Sequence, residues 1–142
     1  MSNKRLWMAF VACYVVGQIL GFLINNVLLM DSYKALAHVW RPEAEMNAKM
    51  WIFFLTSFIA IFLFCYIFTK GYENKGLMEG LRYGGLIGLF VTIPMAYDSY
   101  VVYPLPYTMA LKWFLTGMAY WIALGALLAL IYKPEAPAAT QA

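Results

Sequence analysis

Charge is what this sequence has least of. Only 12% of its 142 residues are Asp, Glu, Lys or Arg, against about a quarter in a soluble domain, while 64% are hydrophobic. Residues 6–30, 50–69, 83–97 and 113–132 hold no charged side chain at all. A water-soluble fold could not hide that much apolar surface. Nucleic-acid binding is excluded too, because the basic residues flank the apolar stretches and gather into no patch. Cysteine is sparse: Cys13 and Cys65 form no CxxC and have no basic flank, so both read as small hydrophobes before they read as a redox pair. Histidine occurs once, at His38, with no HExxH around it. No metal site, cofactor, nucleotide motif or catalytic signature is therefore expected.

What remains is four apolar runs. A helix needs about 20 apolar residues to cross roughly 30 Å of hydrocarbon, and in lipid the backbone polar groups must be satisfied inside a helix or a closed barrel. Runs of this length favour helices over alternating strands. The expected fold is an all-α integral membrane protein of one domain, residues 1–142. It is a four-transmembrane-helix bundle, with spans near 6–30, 50–69, 80–101 and 109–132 and a short interfacial amphipathic helix between the first two. Lys4 and Arg5 resemble the start of a signal peptide, but the apolar run after them is too long for one, so it is taken as an uncleaved first span. Lys4, Arg5, Lys70, Lys75, Arg82 and Lys133 share one side of such a bundle, and Lys34, Arg41, Lys49 and Lys112 the other. That bias places both termini in the cytoplasm. The Pro- and Ala-rich tail 134–142 is expected to be disordered.

Within the first span, Tyr14, Gln18, Gly21 and Asn25 recur at helical spacing beside a GxxxG of Gly17 and Gly21. Such a small and polar stripe belongs against a neighbouring helix or a ligand, leaving Phe10, Val11 and Leu20 to face lipid. Tyr33, Leu36, Ala37 and Trp40 suit a surface helix over 32–40, capped by Asp31 or Ser32. Pro42 suits the first turn of the second long helix, with Glu45 and Lys49 paired. Gly76, Gly80, Gly84 and Gly88 recur every fourth residue, which extends the third helix back to Gly76 as a packing ladder. Pro94 should kink or unwind that helix. Leu105 lies midway between Asp98 and Lys112, so a symmetric hairpin would set these two at one depth as an ion pair.

The segments WRPEAEM (40–46), YIFTKGY (66–72), KGLMEGLRYG (75–84) and YPLPY (103–107) resemble a group of small bacterial membrane proteins of unknown function. The resemblance implies a four-span protein of the bacterial inner membrane and transfers no catalytic or binding residue. Small multidrug transporters carry a membrane-embedded Glu in their first helix, where this chain has Gln18. The four-helix disulfide-forming oxidases need cysteine pairs outside the membrane, and there are none.

No acidic residue is expected near the midplane of the spans, the nearest being Asp98 at the edge, which argues against a pump. The expectation is a non-enzymatic protein that binds a small apolar ligand, a lipid or a partner membrane protein. The candidate binding residues are Tyr14, Gln18 and Asn25 on the first helix and His38, Arg41, Glu43, Tyr97 and Asp98 around an outer mouth. The alternatives are a dimeric small-solute transporter and a membrane enzyme acting on a lipid-like substrate. Partners expected are the bilayer itself and a second copy or another membrane protein.

Overall fold

The computed structural model describes residues 3–133; the tail 134–142 lies outside them. In chain order the helices are α1 (Asn3–Leu23), a π-helical turn (Ile24–Leu28), α2 (Met30–Ala35), α3 (Glu43–Ala48), α4 (Met50–Lys70), α5 (Leu77–Val102) and α6 (Tyr107–Ile131). Four of them, α1 continued through the π turn, α4, α5 and α6, are long and apolar enough to cross a membrane, and no strand occurs among the described residues. This is the all-α, four-span architecture of a multi-pass membrane protein. Its surface agrees: Phe90 is 79% and Val101 82% exposed. In water each would forgo about 1.5–3 kcal/mol of burial, whereas lipid tails solvate them.

The end of the bundle that holds Asn3, the α4–α5 loop and Ile131 is the terminal end; the opposite, cap end holds α2, α3 and the α5–α6 turn. The main buried cluster lies in the terminal half, with Ala9, Phe10 and Cys13 on α1, Ile61, Phe64, Cys65 and Phe68 on α4, and Trp121, Leu124 and Leu128 on α6, while Leu29, Ala96, Leu105, Met109 and Ala110 are buried toward the cap end. Phe10 is thus a core residue and not lipid-facing, because its ring meets Phe58 edge-on at 5.0 Å and Phe62 at 5.5 Å. α5 joins α4 through Tyr83, whose hydroxyl donates to the Phe64 carbonyl at 2.6 Å.

α5 and α6 form the tightest pair. A Cβ on Gly80 would strike the Gly125 carbonyl and the Ala129 side chain, and one on Gly84 the Trp121 carbonyl, so backbone lies against backbone. Gly88 meets Met118 and the Trp121 Cβ. The ladder has three rungs. Gly76 packs against nothing; it precedes α5 with φ +69°, a backbone that glycine adopts without strain. Pro94 sits within an unbroken α5, so the expected unwinding does not occur.

The facing pairs of this hairpin do not share one centre: Gly80 with Gly125 and Tyr97 with Tyr107 place it near residue 102, whereas Gly88 with Trp121 and Thr92 with Gly117 place it close to Leu105. Asp98 on α5 and Lys112 on α6 both lie toward the turn. No ion pair joins them among the described residues; Lys112 Nζ donates instead to Ser32 Oγ at 2.7 Å.

The connection between α1 and α4 also departs from expectation. α2 starts at Met30 with no side-chain cap, because Leu29 already has αR backbone and the chain runs on from the π turn without leaving helical geometry. α3 does begin after Pro42, but the chain breaks at Lys49 (φ −104°, ψ 1°) before α4 starts. That break takes Lys49 off the helical line of Glu45, which pairs with Arg41 at 3.5 Å.

Candidate functional site

The polar stripe of α1 is occupied by its own chain. Gln18 Nε2 donates to Ser57 Oγ on α4 at 2.8 Å, and the Tyr14 hydroxyl donates to the Phe54 carbonyl at 3.4 Å. Asn25 donates to the Gly21 carbonyl at 2.9 Å and accepts from the Tyr33 hydroxyl at 2.8 Å. The first two contacts tie the cap half of α4 to α1. The other two tie α2 down to the end of α1.

Tyr33 is the centre of the cap. Its hydroxyl also accepts from Trp113 Nε1 at 2.9 Å, its carbonyl accepts from Trp40 Nε1 at 3.2 Å, and the Trp40 and Trp113 rings lie 6.1 Å apart. Burial pushes the Tyr33 phenol above its ordinary value, with the Trp113 hydrogen bond partly opposing. The sequence reading put Trp40 on the same surface helix as Tyr33 but gave Trp113 no role, since a contact 80 residues apart leaves no local spacing to detect.

The expected mouth does not assemble. Among the described residues no hydrogen bond, ion pair or ring contact links His38, Arg41 and Glu43 to Tyr97 and Asp98. The first three are exposed in the α2–α3 segment, with Arg41 held by Glu45. Tyr97 faces Tyr107 across the hairpin, the hydroxyls 3.5 Å apart, and Asp98 is exposed.

Comparison with protein-family models, curated proteins and solved structures finds no match. Function must be read from this chain's own geometry, which offers two open places.

The first lies where the bundle stops closing. A Cβ on Gly17 would meet the Tyr120 hydroxyl and the Ile61 side chain, whereas one on Gly21, a turn nearer the cap, would meet nothing within 4 Å. At the same level α4 leaves its buried environment. The stripe Ile61, Phe64, Cys65 and Phe68 is buried, but its continuation toward the cap is not: Phe54 is 51% exposed, and Ser57 alone of residues 50–60 is half-buried. The second is a cleft of about 160 Å³ between α2 and the start of α6, lined by Ser32, Ala35, Leu36, Pro106, Thr108, Met109 and Lys112.

The terminal end is sealed. Cys13 and Cys65 are fully buried, and the Cys13 thiol donates to the Leu124 carbonyl at 3.8 Å. The α4–α5 loop is closed by Glu79, whose two carboxylate oxygens accept the backbone N–H groups of Glu73 at 2.6 Å and Lys75 at 2.8 Å. No group of three or more His, Cys, Asp or Glu able to hold a metal occurs among the described residues.

Proposed function

We propose that this is a non-enzymatic protein of a bacterial inner membrane, both termini cytoplasmic, that holds a lipid chain or similarly apolar small ligand where α4 parts from the bundle. The observation that carries the reading is the change between Gly17 and Gly21: closed packing at one, open space at the next on the same helix face. A helix that needed only to span would continue its core stripe through both leaflets. Here the stripe of α4 ends at Ile61, and beyond it Gln18 and Ser57 hold α4 against α1 while leaving its remaining faces uncovered. The walls so exposed are aromatic and aliphatic, and no ionisable side chain lies at that level to drive proton or ion coupling. Of the two dimer contacts the transporter reading could use, the α5 ladder is taken up by α6 of the same chain through Gly80, Gly84 and Gly88, whereas Gly21 of the α1 GxxxG stays open.

The test is native mass spectrometry of protein extracted in lipid nanodiscs, comparing wild type with Gly21→Phe, which fills the open space. Wild type is expected to carry an apolar adduct. Gly21→Phe is expected to lose it while keeping helix content and thermal midpoint. An adduct absent from wild type, or retained unchanged by the variant, overturns the reading.

A further inference from the structure

We propose that the cleft between α2 and the first turns of α6 is a separate binding site for a phosphate-bearing anion. It shares no lining residue with the opening at α4.

Lys112 is the reason. It is a cation set about 7 Å along α6 from its start, by the helical rise, and no carboxylate lies within ion-pair distance of it among the described residues. The carboxylate next in sequence to the cleft, Asp31, is exposed and takes no part. Lys112 is exposed at the rim of the cleft; its Nζ has three N–H donors and gives one to Ser32 Oγ, so two remain for a further acceptor. Because Ser32 Oγ accepts that bond, its own proton is available to donate to a further acceptor. Thr108 adds a second hydroxyl to the lining.

The backbone contributes donors of the same sign. Pro106 precedes α6 with no side-chain cap; the Met109 N–H bonds to the Pro106 carbonyl at 3.0 Å, and those of Tyr107 and Thr108 have no side-chain acceptor at the positive end of a 25-residue helix. Ammonium, hydroxyls and helix N-terminus all present donors, and a tetrahedral anion with several acceptor oxygens matches that set. The rest of the lining, Ala35, Leu36 and Met109, is apolar and suits the glycerol and first methylenes that follow a lipid phosphate. At about 160 Å³ the cleft is close in size to an engineered cavity that takes benzene, enough for a headgroup and not for a whole lipid.

Phosphate reaches such a site either as a lipid headgroup or free in solution, and two arms separate the sources. In the first, full-length protein in nanodiscs of phosphatidylglycerol and galactosyl diglyceride, the latter lacking phosphate, is released for native mass spectrometry. Phosphatidylglycerol is expected to be retained about tenfold over the glycolipid, the factor that one charge-assisted contact supplies. Lys112→Met should bring the ratio near one, and Lys112→Arg should keep most of it. Ser32→Ala with Thr108→Val should lower it with the lysine intact, which keeps the test readable if Lys112→Met fails to fold. In the second arm, inorganic phosphate is added to protein in neutral detergent and saturation transfer to its ³¹P signal is followed. Transfer lost in Lys112→Met, without lipid preference, assigns the site to free phosphate. A lipid ratio indifferent to Lys112 together with no phosphate transfer overturns the proposal. Gly21→Phe removes lipid held at the α4 opening but should leave the ³¹P transfer and the dependence of the lipid ratio on Lys112 in place, so failure here and failure at the α4 opening are distinguishable.

Discussion

Gly80 and Gly84 are where the backbones of α5 and α6 touch, and the space around each glycine decides what its loss would do. Gly80→Ala and Gly84→Ala drive a methyl into a main-chain carbonyl and should destabilise the fold by about 1–3 kcal/mol, the usual range for overpacking. Gly76→Ala meets no neighbour but forces a side chain onto φ +69°, at about 1–2 kcal/mol. Gly21→Ala meets nothing and should be neutral or stabilising through helix propensity. Unfolding in mixed detergent micelles reads all four, and equal costs across the set would contradict this ordering. Tyr33 makes a second prediction. Burial raises its phenol pKa above the unfolded value of about 10, so the folded state holds that proton more tightly. Its stabilisation is whole below the ordinary phenol range and declines as pH rises through the folded value. Tryptophan fluorescence of the cap should therefore show undocking at alkaline pH, and Tyr33→Phe should lose that component.

At the scale of elements, the short connections are set by what they pack on. α2 has no side-chain cap and no buried residue of its own, yet Tyr33 and Ser32 fix it on α6 through Trp113 and Lys112. The α4–α5 loop is held by one carboxylate. Glu79→Gln keeps the volume of that side chain but turns one of its two acceptors into a donor facing an N–H group. The expected cost is about 1–3 kcal/mol, the price of leaving a buried donor unsatisfied. Hydrogen exchange should rise in residues 71–76 and remain unchanged in α6. The Lys75 ammonium beside Glu73 holds that carboxyl below its usual range, but the pair is solvent-exposed and adds little to the closure.

For the whole molecule, α4 is packed into the core toward the terminal end and uncovered toward the cap, where α2, α5 and α6 still bury Leu29, Ala96, Met109 and Ala110. Cys13 and Cys65 report on the packing at the terminal end, since both are fully buried. A membrane-permeant maleimide should label neither in the folded protein and both after unfolding, whereas labelling in the native state would mean that the core opens readily. The sequence by itself determined the fold class, because apolar runs too long and too free of charge for water leave only helices in lipid. It also determined which glycines on α5 recur on one face, since period and side-chain size are local properties. It did not determine the partners. Asp98 and Lys112 look symmetric about Leu105, yet α2 packs beside the start of α6 and its Ser32 takes the Lys112 ammonium instead. His38, Arg41 and Glu43 look like neighbours of Tyr97 and Asp98, yet the break at Lys49 and the docking of Trp40 on Trp113 leave them apart. Spacing along a chain fixes which residues share a helix face, whereas depth and partner depend on how helices slide and turn against one another, which only packing in three dimensions decides.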